Sequence, residues 1–311
     1  MRVETGTHQS GTHQSGTHQS GLHGQAADNT SPRGRRKIGV IVLVLVLGWL
    51  WWDNSRITVR AVDVSSSRLP QTFQGFRLAQ VSDLHSRDWK GRLIERLTRE
   101  QPNLILITGD LIDSKHPNLP LVLEFVRQAQ TIAPVYFVSG NHEVWSGQYE
   151  ELKRELQALG VGILDNESNR ITRSGSSLTL LGLPDPELTQ GRDFTDEASD
   201  PIDRQLQALV HPEDFQILLA HRPEFAEYYA AAGIDLVLSG HAHGGQFRLP
   251  LLGGLYAPGQ GYFPKYTAGL HRLGHTSLVI SRGLGNSVIP VRLFNPPELV
   301  MIRLLRTSGS D

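Results

Sequence analysis

Five short clusters of acids, imidazoles and amides interrupt an otherwise apolar texture. Asp83-Leu84-His85 follows the run LAQVS, and Gly109-Asp110-Leu111-Ile112-Asp113 follows NLILIT. Gly140-Asn141-His142-Glu143 follows PVYFVS, His221 follows FQILLA, and Gly240-His241-Ala242-His243-Gly244 follows IDLVLS. Aspartate offers a hard anionic oxygen, histidine an imidazole nitrogen and asparagine a neutral amide oxygen. With no soft ligand among them, such a set suits Mn, Fe, Zn, Ni or Mg and does not select Cu(I). Asp-x-His after a strand puts two side chains on one pleat phase, within reach of one ion. A carboxylate lying between two ions can bridge them. Gly109, Gly140, Gly240 and Gly244 permit tight turns and close backbone approach. Each cluster alone is common as a cap, a turn or an ordinary histidine. All five in order, each after an apolar run, argue for one metal centre.

The elements that must position these residues can be read from the same runs. Strands are predicted at 57–63, 76–82, 103–108, 134–139, 176–182, 215–220, 234–239, 276–281 and 298–304. Helices are predicted at 91–100, 119–130, 147–158, 202–209 and 223–231. Alternating strands and helices imply α/β units with helices covering the sheet. Ligands in open α/β sheets bind beyond the carboxyl ends of the strands, where all five clusters fall. No linker interrupts this texture, so residues 55–306 read as one domain of ample size for a core.

The 311 residues are 39% apolar and 20% charged, which excludes a wholly disordered chain and a polytopic membrane protein. A net charge of −1 argues against a nucleic-acid surface. Cysteine is absent, which excludes disulfides, thiolate metal sites and a cysteine nucleophile. Residues 1–37 read as a low-complexity, disordered tail: GTHQS occurs three times over residues 6–20, and a basic cluster of Arg33, Arg35, Arg36 and Lys37 ends it. His8, His13, His18 and His23 belong to this solvated tail. Ile38–Trp52 follows without a charge and reads as a transmembrane anchor, with Trp49, Trp51 and Trp52 suited to the far interface. As a helix these 15 residues span roughly 22 Å, short of the hydrocarbon core, so Arg36 and Lys37 would snorkel outward. A cleaved signal peptide and a twin-arginine export signal are the competing readings. Four basic residues precede the span, whereas Arg56, Arg60 and Arg68 follow it, so the positive-inside rule puts the domain on the extracytoplasmic side.

The series D-x-H, G-D-x-x-D, G-N-H-E, H and G-H-x-H resembles the calcineurin-like metallophosphoesterases, from residue 76 to about residue 304. Pro264-Lys265-Tyr266, Gly269-Leu270, Arg272, Ser281-Arg282-Gly283-Leu284-Gly285 and Pro296-Pro297-Glu298 extend the likeness to the bacterial branch with an N-terminal membrane segment. The resemblance implies a sandwich of β-sheets flanked by helices and two divalent ions. By it, Asp83, His85 and His243 would hold one ion, Asn141, His221 and His241 the other, and Asp110 would bridge both. His142 would be the catalytic acid or a donor to the phosphate. Asp113 and Glu143 would stand behind the ligands, or be plain surface acids.

The implied activity is hydrolysis of a phosphoester or pyrophosphate bond by metal-activated water. Some relatives of that branch act on UDP-2,3-diacylglucosamine in lipid A synthesis, so a lipid-linked or nucleotide-sugar substrate is an expectation. Such a lipid belongs to the cytoplasmic face, which conflicts with the orientation read from charge. A non-catalytic metal-binding module and a nuclease of the same fold are the alternatives. His116, His211, His271 and His275 read as surface or loop residues. Tyr262, Phe263 and Tyr266 either line a substrate pocket or pack the glycine-rich segment 250–270.

Overall fold

The computed structural model describes residues 32–191, 199–249, 251–286 and 289–308. The GTHQS repeats and the four histidines of the tail lie outside the described residues. The chain divides into two units, Met1–Val46 and Leu47–Asp311.

Helix α1, Pro32–Ser55, has 24 residues, or about 36 Å. It is longer than the uncharged run alone, because the backbone stays helical through the flanking polar residues. Within its segment Arg35–Ser55 an 18-residue stretch reaches a mean hydropathy of 1.6, and by length and composition the segment is apolar enough to cross a membrane. In the second unit the last carbonyls of α1, which have no partner within a helix, are met by side chains. Arg87 Nη2 donates to Asn54 O at 2.6 Å and Arg92 Nη1 to Ser55 O at 2.7 Å.

Two six-stranded sheets build the second unit. The strands are β1 Thr58–Ser66, β2 Arg77–Val81, β3 Leu104–Thr108, β4 Val135–Val138, β5 Gly162–Ile163, β6 Glu167–Arg173, β7 Ser176–Leu183, β8 Phe215–Ala220, β9 Leu236–Ser239, β10 Gly269–Leu273, β11 Thr276–Ile280 and β12 Glu298–Arg306. The order in the first sheet is β1-β12-β2-β3-β4-β5, and in the second β10-β11-β9-β8-β7-β6. Strands β2 to β5 run parallel, as do β7, β8, β9 and β11.

Both sheets are covered on both faces, which explains the continuous apolar runs. In β3, Leu104 and Leu106 pack between the sheets with Ile217 and Leu219 of β8. The alternate residues Ile105 and Ile107 face α2, Arg92–Glu100, α3, Leu119–Gln130, and α5, Tyr149–Ala158. Leu218 and Ala220 of β8 face α7, Ser199–Leu209, and α8, Ala226–Ala231. The layers are therefore helix, sheet, sheet, helix. Two further helices, α4 Asn141–Ser146 and α6 Pro186–Gln190, and strands β5, β6 and β10 are absent from the sequence reading. β6 and β10 are sheet-two edges; β6 is largely exposed and polar, and β10 is a five-residue mix, GLHRL, of apolar and polar side chains, so neither carries the unbroken apolar run that marks the inner strands.

Candidate metal centre

The parallel strands deliver their clusters to one end of the sandwich. Asp83 and His85 follow β2, Asp110 follows β3, and Asn141 and His142 begin α4 after β4. His221 follows β8, and His241 and His243 follow β9. All eight predicted site residues come together there, and all are buried.

Their donor atoms form two sets that share one carboxylate. Asp83, His85, Asp110 and His243 present ligand atoms within 4.8 Å of one another, and so do Asp110, His221 and His241. In the first set, His85 Nε2 lies 3.1 Å from His243 Nε2, which is 3.4 Å from Asp83 Oδ1. In the second, His221 Nε2 lies 3.2 Å from Asn141 Oδ1 and 3.2 Å from His241 Nδ1. Asp110 Oδ2 stands 3.7 Å from His85 Nε2 and 3.2 Å from His221 Nε2. Its other oxygen, Oδ1, accepts the His142 N–H at 2.8 Å, which fixes the carboxylate between the sets.

The backbone is bent unusually to achieve this. Asp83, His85, Asp110, His241 and His243 all have positive φ, between 45° and 62°. Non-glycine residues seldom adopt that region, and where several do so the surrounding structure must hold them. One holder is Glu143, at the third position of α4. Its Oε2 accepts the N–H groups of Gly140 at 2.7 Å and Asp110 at 2.9 Å. Its Oε1 accepts those of Leu111 at 2.7 Å and Ile112 at 3.1 Å. The side chain thus caps α4 and ties the turn after β4 to the turn after β3. The sequence left Glu143 between a supporting group and a surface acid; it is fully buried and supporting. Gly140 is needed for the same closeness, since a Cβ there would press into the Asp110 backbone and carboxylate.

The electrostatics favour cations at the centre. Thr108 O, which can only accept, lies 2.8 Å from His221 Nδ1, so that nitrogen carries a proton and Nε2 faces Asp110. Burial works against charge on His221, but the Asp110 carboxylate outweighs it and pushes the ring up to about 10. Burial would raise Asp110, yet the neighbouring His221 and His142 hold it well below the usual carboxylate range. Burial pushes Asp83 up to about 6 and His85 down to about 3. His241 and His243 are also lowered by burial, aided by Arg222 beside the first and His85 beside the second. Three buried histidines held neutral, two acids and an amide oxygen are a donor set for divalent ions. Asp83 Oδ2 and His241 Nε2 are buried with no hydrogen-bond partner among the described residues, as expected of atoms placed for a cation. The buried Asp/His cluster fits a dimetal site.

A cleft of about 520 Å³ opens above the first set. It is lined by His85 and His142 together with Asp113, Ser114, Lys115, His116, Trp145 and Asn286. His142 Nδ1 accepts the Ser114 N–H at 3.0 Å, so a neutral ring carries its proton on Nε2. Asp113 Oδ2 lies 3.8 Å from His85 Nδ1 and 3.6 Å from His142 Nδ1. His116, read as an ordinary surface residue, is exposed at the cleft wall. His211, before β8, His271, in β10, and His275, in the turn to β11, lie elsewhere. Tyr262 and Phe263 are exposed away from the cleft lining, and Tyr266 is buried, donating its hydroxyl to Glu227 at 2.9 Å.

Two arginines next to the centre had no sequence signal. Arg292 is fully buried, with Nη2 3.2 Å from His243 Nδ1. Arg222 forms a buried ion network, donating to Asp185 at 2.7 Å and to Glu187 at 2.7 Å. Only its place directly after His221 could have drawn attention to it.

A family model described as calcineurin-like phosphoesterase matches residues 76–245. The chain is 28% identical over 252 residues to an uncharacterized metallophosphoesterase, YkuE, of Bacillus subtilis, covering 79% of this chain and 84% of that one. It is 30% identical over 231 residues to the uncharacterized protein YpbG of the same organism, covering 72% and 79%. It is 28% identical over 284 residues to a transmembrane protein with a metallophosphoesterase domain from Danio rerio, covering 87% of this chain but 63% of that protein.

Proposed function

The chain belongs to the calcineurin-like phosphoesterases, and on that footing we propose that it is a membrane-anchored phosphohydrolase working with two divalent ions. The observation that carries this reading is the shared carboxylate. Asp110 Oδ2 faces His85 on one side and His221 on the other, at 3.7 and 3.2 Å. Asp83, His85 and His243 would hold one ion, Asn141, His221 and His241 the second, and Asp110 both. Divalent ions held there would supply Lewis-acid charge to phosphate oxygens and would lower the pKa of a water that serves as nucleophile. The chain's own contribution begins with Asp110, whose charge offsets the repulsion of two close cations. With Nδ1 accepting the Ser114 N–H, a neutral His142 carries its proton on Nε2, from which it would be donated to the leaving oxygen or to the phosphate. No covalent phospho-enzyme is required.

The apolar helix α1 supports anchoring, and the transmembrane description of the Danio rerio relative is in keeping with it. The natural substrate class we propose is a lipid-linked phosphoester or pyrophosphate, with the domain extracytoplasmic; a UDP-diacylglucosamine is the form that a cytoplasmic domain would meet. Protease accessibility of the C-terminus tests the orientation. A cytoplasmic C-terminus would overturn the orientation and favour the UDP-linked form.

The function itself is tested by hydrolysis of bis(p-nitrophenyl) phosphate and of p-nitrophenyl phosphate before and after chelation. Activity should disappear on chelation and return with Mn²⁺. Undiminished hydrolysis by rigorously metal-free protein would overturn the reading. Diester against monoester rates then decide between phosphodiesterase and phosphatase.

A further inference from the structure

The face that carries the cleft also carries an exposed apolar rim that neither the core nor the metal centre uses. Leu251 and Leu252 form part of the tip of a short hairpin, Arg248–Leu249 paired with Gly253–Gly254, which leaves the turn holding His243. Leu251 is wholly exposed and Leu252 is 66% exposed. Ile289, Val291 and Phe294 follow from the loop that packs against Asp83, and each is exposed by 42% or more. The two segments are laced together. Arg248 N donates to Leu293 O at 2.9 Å, and Gln246 Nε2 donates to Ile289 O at 3.0 Å and Val291 O at 2.8 Å.

This rim is continuous with the end of α1. The Phe294 ring packs on Trp49, centroids 4.9 Å apart, and Trp51 and Trp52 of the same turns are 73% and 52% exposed. Asn54 and Arg292 fasten the junction by a reciprocal pair, Asn54 Nδ2 to Arg292 O at 2.9 Å and Arg292 N to Asn54 Oδ1 at 2.8 Å. Leu251 and Phe294 have φ of 70° and 50°. Bulky residues are rare in that region, and strain of this kind collects at functional places. Here it holds large apolar side chains outward, where water would disfavour them.

We propose that this rim lies in the interfacial layer of a lipid bilayer and that the cleft takes phosphoester headgroups from lipids of that bilayer. The proposal rests on the phosphohydrolase reading above and adds a second membrane contact to the helix. The chain just before Leu47 is uncharged back to Ile38, so the bilayer is the occupant this continuity points to. Aromatic and aliphatic side chains beside the end of an apolar span suit the headgroup boundary. Pro290, between Ile289 and Val291, lines the same cleft as the cationic Lys115. A lipid held by its tails at the rim would therefore present its phosphate to His85 and His142.

The chain contains no cysteine, so single labels are unambiguous. Leu252→Cys and Val291→Cys, with Glu213→Cys at the opposite end of β8 as control, are labelled with bimane. The full chain is then placed in vesicles of phosphatidylethanolamine and phosphatidylglycerol carrying shallow doxyl quenchers. Quenching at 252 and 291 but not at 213 is expected. Water-exposed, unquenched labels at 252 and 291 overturn the proposal, as does shielding without lipid quenching accompanied by cross-linking between copies. In a second arm, Leu251→Glu, Leu252→Glu and Val291→Glu are combined. Hydrolysis of a p-nitrophenyl ester of phosphatidic acid embedded in the same vesicles should fall at least about tenfold, with soluble bis(p-nitrophenyl) phosphate unaffected. An equal fall on both substrates, or on neither, overturns it. If the unmodified protein hydrolyses neither substrate, the phosphohydrolase reading fails, while the quenching pattern still decides whether the rim meets lipid.

Discussion

The two sheets contribute unequal chemistry to one site. Sheet one brings every oxygen ligand candidate, Asp83, Asp110 and Asn141, together with His85 and His142. Sheet two brings only imidazoles, His221, His241 and His243. Neither donor set is complete on one sheet, since each combines oxygens from the first with imidazoles from the second. The seam between the sheets is also where polar contacts cross. His241 N donates to Asp83 Oδ1 at 3.0 Å, and Gln80 Nε2 of β2 donates to Ser239 O of β9 at 2.9 Å. The centre therefore exists only when the sandwich is closed, and its assembly doubles as a check on folding.

Four substitutions sharpen that contrast. The largest effect is expected from Asp110→Asn, which removes the one charge that sheet one places between both sets. Metal content and turnover should both collapse, because the repulsion between two close cations is left uncompensated. Retention of two equivalents of metal by the variant, measured by atomic emission, would show that the sets do not depend on a shared carboxylate.

His142→Ala comes next. This sheet-one residue belongs to neither shared set, so metal should stay while the rate falls by about 10²–10⁴-fold. The loss should shrink for p-nitrophenolate, a good leaving group that needs little protonation. An emptied site, or an unchanged rate on a poor leaving group, would contradict the role given to His142.

Glu143→Gln tests how sheet one keeps its turns bent. Exchanging one carboxylate oxygen for an amide NH₂ sets a donor against two buried N–H groups. Stability should drop by about 2–5 kcal/mol, read from denaturant unfolding in chelator. A change under about 0.5 kcal/mol would mean the turns hold without it.

The smallest effect is expected at the seam. Gln80→Leu removes the cross-sheet donor to Ser239 O, which keeps the Ser281 N–H, and should cost about 0.5–1.5 kcal/mol, with both metals still bound. Loss of metal in this variant would show that the two sheets are registered chiefly by that contact.

The sequence by itself determined the ligand candidates and the inner strands. The clusters were legible because each is local, a few residues at the end of one apolar run. LILIT and FQILLA were legible as strands because both faces are buried, which demands unbroken apolar sequence. The edge strand ESNRITR was not, because five of its seven residues are exposed and Ile171 alone is apolar, so no alternation marks a buried face. Gly140–Glu143 looked like a turn because the helix α4 is short, and its start depends on Glu143 reaching back and across to a separate strand end. The resemblance anticipated Asp110 between two ions; the tertiary structure alone decided that five candidate ligands adopt left-handed backbone, and that Arg292 reaches His243. Those facts depend on contacts between residues distant in the chain, and no local spacing encodes them. They follow only when two sheets close over a common apolar core and bring the ends of their parallel strands to the same edge.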